Sequence, residues 1–242
     1  MNEPTVTETL VVIPAFNEES SIGELVKLIR SRFPGLPVLV VDDGSRDNTA
    51  FKAREAGATV LPLPVNIGYG AALQAGYKYA WRNGFSFVVQ LDADGQHDPE
   101  FIGRLLESVR GNVCDLAIGS RFLSERSYRV PFVRLMGIKM FSIILLLLTG
   151  RKFTDPLSGY QAMNRKTLAV FISDIFPRDY PDADMIFILH KCGLRVAEIP
   201  VAMRKSLGSK SMHDGVFRQV YYVFRMLLGL LVTVFRKFPK VT

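Results

Sequence analysis

The sequence predicts an α/β protein with a mainly parallel sheet flanked by helices. Short runs of β-branched and apolar residues, such as 10–13 and 38–41, alternate with stretches of helical periodicity, and this alternation is typical of parallel sheets with crossover helices. Three of the predicted strands end in polar turns, and open sheets of this class bind ligands at the carboxyl ends of their strands. The 242 residues contain no Pro/Gly/Ser-rich linker or internal repeat, so we expect one main domain.

The first strand and helix follow from their residue types. Residues 10–13 are Leu-Val-Val-Ile and predict a buried strand, with a polar turn at 14–18 after it. Ser21 is expected to open the first helix. Glu24, three residues later, predicts a capping box in which the two side chains bind each other's backbone N–H groups.

The same alternation continues towards residue 100. The predicted order is a strand at 38–41, a helix around Ala53 and Ala56, a strand at 59–61, a helix over 71–81 and a strand at 85–89. Polar turns at 42–45 and 92–96 follow two of these strands. Together with the turn at 14–18, they are expected to share one rim of the sheet.

Two uncharged apolar runs, residues 140–149 and 226–235, lie in the second half of the chain. Each is shorter than the roughly 18 to 20 residues needed to cross a bilayer. This half carries 20 Lys and Arg against 8 Asp and Glu, whereas residues 1–120 carry 10 against 15. Cations beside apolar helices favour an anionic lipid surface over nucleic acid. We therefore predict two interfacial amphipathic helices, at about 132–149 and within 213–242, with burial of both in the core as the alternative.

The two cysteines, Cys114 and Cys192, each lie in an apolar segment without the spacing of zinc ligands. We expect buried thiols in a reducing compartment. The N-terminal residues lead directly into the first strand, without the basic and apolar regions of a signal peptide. The folded domain is therefore expected in the cytoplasm.

Residues 91–100, Leu-Asp-Ala-Asp-Gly-Gln-His-Asp-Pro-Glu, are the most informative stretch. Asp92 and Asp94 stand at i and i+2 on a turn after a predicted strand. Mg²⁺ and Mn²⁺ prefer oxygen ligands, and Mg²⁺ often takes one or two carboxylates while substrate phosphates and water complete its shell. The pattern predicts a divalent cation with a diphosphate ligand, although an isolated Asp-x-Asp is also common in solvated turns. His97 is expected outside this set, because hard cations prefer oxygen.

Other nucleotide-binding patterns do not fit. A dinucleotide-binding fold requires Gly-x-Gly-x-x-Gly between the first strand and helix, where this chain has residues 14–18. The Gly-Tyr-Gly element at 68–70 precedes a helix but lacks the P-loop lysine and the third glycine. It is interpreted either as a flexible helix start or as a phosphate contact.

Six motifs occur in order along the chain. They are VVIPAFNEE (11–19), VVDDGSRD (40–47), NIGYG (66–70), DADGQHDPE (92–100), GSRF (119–122) and TDPLSGY (154–160). Over about residues 10–212 the chain therefore resembles the family 2 glycosyltransferases of GT-A fold. Within them it most resembles the dolichyl-phosphate mannose synthase-like, or polyprenyl-phosphate glycosyltransferase, branch. It departs from that family in the late basic loop, where a pattern like Arg-x-x-Gly-x-Ser-Lys is expected. Here Lys205 stands at the arginine's spacing from Gly208, and Ser209-Lys210-Ser211 follows, with the expected serine and lysine transposed.

The resemblance implies a role for each motif. The residues implied in nucleotide binding are Pro14, Ala15, Phe16, Glu18, Val41, Asp43, Asp92 and Ala93, with Arg204, Lys205 and Lys210 as clamps for the diphosphate. Asp92, Asp94 and Gln96 are the implied metal ligands, for Mg²⁺ or Mn²⁺. The implied catalytic residues are Asp94, Asp155 and Arg121.

The acceptor decides whether a base is needed. A lipid phosphate has a second pKa of about 6 by analogy with phosphoesters, so it already carries an anionic oxygen. Arg121 and Arg134 are expected to bind the acceptor phosphate, because guanidinium groups match phosphate oxygens; for Arg134, contact with lipid headgroups is the alternative. Asp155 is either a base for a hydroxyl acceptor or the partner that orients an arginine. Asp182 and Asp184 are expected to cap the helix over 183–191.

The expected function is metal-dependent, inverting transfer of one hexosyl or N-acetylhexosaminyl group from a GDP- or UDP-linked sugar to polyprenyl phosphate. The alternative is transfer to a hydroxyl of a glycolipid or polysaccharide. A non-catalytic binding protein is disfavoured, because all three metal-ligand positions are filled.

We expect an enzyme peripheral on the inner face of the cell membrane, without a nucleic acid partner. A GT-A domain over 1–212 is expected to be followed by a membrane-associating helix in 213–242. Relatives often carry two C-terminal transmembrane helices. Their place is taken here by one amphipathic segment, so a small integral membrane protein is an expected partner, and a homo-oligomer stays open.

Overall fold

Up to about residue 100, strands and helices alternate along the chain in the order that the sequence predicts. The computed structural model describes residues 8–123, 132–177, 181–204, 216–236 and 238. The strands are β1 (Thr9–Ala15), β2 (Val38–Asp42), β3 (Thr59–Pro62), β4 (Phe87–Gln90), β5 (Leu116–Ser120), β6 (Gln161–Asn164) and β7 (Val196–Pro200). The helices are α1 (Ile22–Arg32), α2 (Thr49–Glu55), α3 (Tyr69–Arg82), α4 (Ile102–Arg110), α5 (Phe132–Thr149), α6 (Arg165–Phe171), α7 (Ala183–Lys191) and α8 (Val216–Val234).

The strands form one sheet in the order β3-β2-β1-β4-β6-β5-β7. All neighbouring pairs are parallel except those of β6, which runs antiparallel to β4 and β5. The prediction of a mainly parallel sheet is thus confirmed. The chain leaves β1 towards β3 and then returns to place β4 on the other side of β1. The carboxyl ends of β1 and β4 therefore flank a topological switch point, where sheets of this kind bind ligands.

Alternate side chains of each strand enter two separate apolar cores. Val11 and Ile13 of β1 pack with α1, α2 and α4 on one face of the sheet. Leu10 and Val12 pack with α3, α5, α6, α7 and α8 on the other. This alternation follows from the two-residue period of a β-strand. Cys114 and Cys192 are buried free thiols, as the sequence predicts.

Helices α5 and α8 each place one apolar face in the core and another in solvent. Phe141 and Leu145 of α5 and Leu230 of α8 are buried. In contrast, Leu147 is 80% exposed and Phe235, just beyond α8, is 81% exposed. The two helices contact each other and α7, so neither of the two predictions, interfacial helix or core helix, describes them alone. Among the described residues, no helix is long and apolar enough to cross a membrane.

Two predicted helix caps are wrong. Ser21 does precede α1, but its hydroxyl donates to the Glu18 carboxylate, with Oγ–Oε2 2.7 Å, instead of capping the helix. Glu24 pairs with Lys27 in solvent. Asp182 precedes α7 without a side-chain cap. Asp184 lies in the first turn and its Oδ1 accepts the Met185 N–H at 3.0 Å, as its expected role at the helix N-terminus requires. Burial, followed by the charge of Asp182, raises the pKa of Asp184 to about 8.

Gly76 marks the closest approach of α3 to the sheet, since a Cβ there would lie 2.5 Å from Val12 Cγ1 and 3.1 Å from Val41 Cγ2. We predict that Gly76→Ala lowers the free energy of unfolding by roughly 1–2 kcal/mol, because overpacking outweighs the gain in helix propensity. Denaturant unfolding measures this change. Gly103→Ala in α4, where a Cβ meets nothing within 4 Å, is the matched control and should leave stability unchanged or raise it. Equal effects of the two substitutions would contradict the proposed clash.

Candidate active site

The turns after β1 and β2 are held together by side chains that cap each other's backbone. The Asn17 N–H donates to Ser45 Oγ at 2.9 Å, and the Glu18 N–H donates to Thr49 Oγ1 at 2.7 Å. In return, the Arg46 N–H donates to Asn17 Oδ1 at 2.9 Å. The two N-terminal turns of the predicted rim therefore form one connected unit.

Asp43 connects this unit to the segment that precedes α3. Its two carboxylate oxygens accept the N–H groups of Ile67 and Gly68, at 2.8 and 3.0 Å. Burial raises the pKa of Asp43, while these two hydrogen bonds act against that rise. The residue expected to contact a nucleotide thus also holds the NIGYG segment in place.

Asp92 follows β4 and lies in a closely packed environment. The Tyr69 hydroxyl donates to Asp92 Oδ1 at 2.8 Å. The Asp92 N–H donates to His97 Nδ1 at 3.0 Å, and His97 Nε2 lies 3.7 Å from Asp92 Oδ2. The His97 ring is buried and stacks on Tyr160, with 4.9 Å between ring centroids. His97 therefore shapes the turn through its contact with the backbone of Asp92.

Asp94 and Gln96 complete the turn. Asp94 Oδ1 accepts the Gln96 N–H at 2.9 Å. The Gln96 carbonyl accepts the Arg204 N–H at 2.8 Å, and His97 forms an antiparallel bridge with Met203. The segment after β7 thus lies against the Asp-x-Asp turn. The expected diphosphate clamps Lys205 and Lys210 come directly after it and lie outside the described residues.

Three carboxylates crowd this rim. Burial raises the pKa of Asp94, and the charge of Asp92 raises it further, while His97 and Arg134 act in the opposite direction. Burial also raises the pKa of Glu18, and the charges of Asp94 and Asp92 add to that rise. Such repulsion disfavours the ionised carboxylates, and a nearby cation relieves it.

The two aspartates fit a hard divalent cation. They offer carboxylate oxygens at a crowded, half-buried position, which is the donor chemistry that Mg²⁺ and Mn²⁺ prefer. Within the described ranges, no group of three or more His, Cys, Asp or Glu side chains is arranged to hold a metal ion. Further oxygen ligands would have to come from elsewhere, as they do where Mg²⁺ binds substrate phosphates and water.

Arg121 and Asp155 form a buried ion pair at the end of β5. Arg121 Nε and Nη2 each lie 2.6 Å from one Asp155 oxygen, and the Arg121 N–H donates to Oδ2 at 3.1 Å. Glu198 of β7 accepts the backbone N–H groups of Thr154 and Asp155. Burial raises the pKa of Glu198, and these hydrogen bonds oppose the rise. Both oxygens of Asp155 are thus engaged by the arginine.

Several residues that are predicted to bind the nucleotide can offer only their backbone, or little side-chain surface, for that contact. Pro14 pairs in register with Val41, whose side chain is fully buried against the core. Ala15 and Ala93 are also buried, whereas Phe16 is 38% exposed at the rim. Any contact from Val41 would therefore come from its backbone.

The sequence interpretation missed four residues that build the site. Tyr69, Gln90, Gly159 and Glu198 all contact the implied functional residues or their partners. Gln90 carried a signal, since it is the one polar residue that ends the apolar strand β4. The other three contacts depend on packing between segments distant in sequence.

The fold and the site define a glycosyltransferase of GT-A fold. The family profile described as "Glycosyl transferase family 2" matches residues 10–171, and the chain belongs to that family. The resemblance to the family 2 glycosyltransferases is therefore confirmed.

Similar proteins have related names. The chain is 33% identical to a polyprenol monophosphomannose synthase of Mycolicibacterium smegmatis, over 88% of this chain and 84% of that protein. It is also 33% identical to an undecaprenyl-phosphate mannosyltransferase of Micrococcus luteus, over 86% and 88%. The crystal structure of glucosyl-3-phosphoglycerate synthase from Mycobacterium tuberculosis with Mn²⁺ and uridine-diphosphate-glucose superposes with a TM-score of 0.68, at 22% identity, over 96% of this chain and 84% of that chain. This last likeness supports the fold.

Proposed function

We propose that the protein is a metal-dependent, inverting transferase that moves one hexosyl or N-acetylhexosaminyl group from a nucleoside diphosphate sugar to polyprenyl phosphate. One observation carries this proposal: an arginine of the partly exposed apolar helix α5 acts electrostatically on the crowded carboxylates. Arg134 lies in the first turn of α5, and its charge lowers the pKa of Asp94 against the larger effect of burial. The names of the two relatives at 33% identity support the acceptor class and make mannose the first donor sugar to test.

The donor side is assigned to the rim formed by β1, β2 and β4. Asp92 and Asp94, with Gln96, would hold a Mg²⁺ or Mn²⁺ ion, which supplies positive charge opposite the phosphate oxygens as the nucleoside diphosphate leaves. Glu18 and Asp43 would accept hydrogen bonds from the ribose or base, because carboxylates suit hydroxyl and imide donors.

The acceptor side is assigned to Arg121 and Arg134. Burial lowers the pKa of His97, and the charges of both arginines lower it further. Both arginines therefore act on the part of the site around His97. Asp155 would orient Arg121 rather than remove a proton, since its two oxygens already accept hydrogen bonds from that side chain. An anionic phosphate oxygen needs positioning more than it needs a base.

The membrane side is assigned to the exposed apolar surface of α5 and α8. Its most exposed large side chains are Phe132, Met136, Ile143, Leu147, Phe224, Leu231, Val232 and Phe235. Exposed apolar surface of this extent, on a half of the chain rich in Lys and Arg, is suited to an anionic bilayer surface. We assign this surface to the inner leaflet of the cell membrane.

Asp94→Asn tests the donor side. We expect turnover with GDP-mannose, UDP-glucose or UDP-N-acetylglucosamine and polyprenyl phosphate to fall by about two to three orders of magnitude. Stability should be unchanged or higher, because burial penalises the ionised carboxyl of Asp94. Radiolabelled sugar transfer and thermal unfolding measure the two effects. Asp98→Asn is the matched control, since Asp98 caps the following 3₁₀ turn; retained activity in Asp94→Asn, or equal loss in both variants, would contradict the assignment.

Asp155→Asn and Arg121→Gln, alone and combined, test the acceptor side. Breaking a buried ion pair costs about 3–5 kcal/mol, so assays must run below the unfolding temperature of each variant. We expect both single variants to raise the KM for polyprenyl phosphate, the double variant to add little, and the pH profile of kcat to stay unchanged. A different outcome favours the hydroxyl-acceptor alternative: Asp155→Asn abolishes transfer to a glycolipid hydroxyl, while Arg121→Gln keeps it.

Leu147→Glu and Phe235→Glu test the membrane side. We expect flotation with phosphatidylglycerol vesicles to weaken about tenfold or more, because burying such side chains contributes about 1.5–3 kcal/mol each. Val113→Glu is the control, since Val113 is 67% exposed in the loop between α4 and β5, away from α5 and α8. Failure of the unaltered protein to float, or equal loss in all three variants, would show that this surface does not bind lipid.

A further inference from the structure

Tyr69 joins the NIGYG segment to the Asp-x-Asp turn. It is the first residue of α3, and the backbone directly before it is held by Asp43 through Ile67 and Gly68. Its hydroxyl donates to Asp92 Oδ1 at 2.8 Å. The sequence leaves the role of this segment open, either as a flexible helix start or as a phosphate contact. In the structure it links Asp43, which follows β2, to Asp92, which follows β4.

A chain of hydrogen bonds in the core gives the Tyr69 hydroxyl its direction. Tyr77, about two turns further along α3, donates its hydroxyl proton to Gln90 Oε1. Gln90 Nε2 then donates to the Tyr69 hydroxyl oxygen at 3.1 Å. Because a carboxylate only accepts and a hydroxyl has one proton, Tyr69 must donate towards Asp92 and Gln90 must present its amide N–H groups. Every donor in the chain points towards Asp92.

The side chain of Asp92, which is 34% exposed, has further close neighbours. A Cβ on Gly159 would lie 3.0 Å from both Asp92 oxygens and 3.1 Å from the Tyr69 hydroxyl, so only glycine allows the TDPLSGY segment to come this close. His97 holds the backbone of the same aspartate, at 3.0 Å from its N–H. The orientation of Asp92 is therefore determined by two segments distant in sequence, those of Tyr69 and Gly159, and by His97 of its own turn.

We propose that Tyr69 is a positioning residue that holds Asp92 ready for a divalent cation and its diphosphate, and that Gln90 and Tyr77 orient Tyr69. This rests on the proposed function, because it assumes that Asp92 and Asp94 bind the cation. Tyr69 occupies one lone pair of Oδ1 and fixes the rotamer, so that cation binding does not have to order the carboxylate. Partners of this kind typically change metal affinity or activity by about 10- to 100-fold.

Mn²⁺ titration followed by the electron paramagnetic resonance signal of free Mn²⁺, with UDP or GDP present, tests this role without measuring turnover. We expect Tyr69→Phe to raise the Kd for Mn²⁺ about tenfold and Tyr77→Phe to raise it less, since Tyr77 acts through Gln90. Tyr79→Phe is the matched control, because Tyr79 is half-buried on the same helix and lies about 15 Å further along its axis. It should bind Mn²⁺ like the unaltered protein.

The outcomes separate this inference from the proposed function. If Asp94→Asn abolishes Mn²⁺ binding while Tyr69→Phe and Tyr77→Phe both keep the original affinity, Tyr69 does not position Asp92 and only this inference is overturned. If the unaltered protein and Asp94→Asn bind Mn²⁺ equally weakly, the cation site itself is wrong, and the role of Tyr69 is wrong with it. Should Tyr69→Phe fail to fold, Tyr77→Phe decides, because it leaves Tyr69 in place; unchanged affinity in that variant overturns the inference.

Discussion

The site depends on negative charge that the strand order brings together. Because β4 pairs with β1 in parallel register, with Val12 opposite Gln90, the turn that carries Glu18 and the turn that carries Asp92 and Asp94 leave the sheet side by side. Burial penalises the ionised forms of Glu18 and Asp94, and mutual repulsion within this group of carboxylates adds to that penalty. The proposed cation would offset it.

The buried pair of Arg121 and Asp155 presents a different electrostatic problem. Removing Arg121 and Asp155 from water costs more than a single contact returns, so a buried pair needs close geometry and further hydrogen bonds. Here the guanidinium binds both carboxylate oxygens at 2.6 Å, the Arg121 N–H adds a third contact, and Glu198 holds the Thr154–Asp155 backbone from β7. Such a pair is rigid, and rigidity suits the positioning role that we propose for it.

Local pattern was enough to predict the sheet, the strand-end turns and the position of α5, because strand and helix periodicity are properties of neighbouring residues. The motifs likewise placed Asp92 and Asp94 on the rim. The capping box at Ser21 and Glu24 did not form, since the Ser21 backbone is already helical, its hydroxyl donates to Glu18 on the preceding turn, and Glu24 pairs with Lys27. The contacts of Tyr69 and Gly159 with Asp92 could not be predicted, since they depend on how α3 and the segment before β6 pack across the sheet.

Helix α5 gives the proposed reaction its geometry. Its 18 residues span about 27 Å. At one end Arg134 acts electrostatically on Asp94, and near the other Leu147 is 80% exposed. If α5 lies in the plane of a bilayer surface, Arg134 is held at the level of the lipid phosphates. A single rigid element would then set both the depth of the enzyme on the membrane and the distance from acceptor phosphate to donor sugar, so that one hydrophobic contact also aligns the reacting groups.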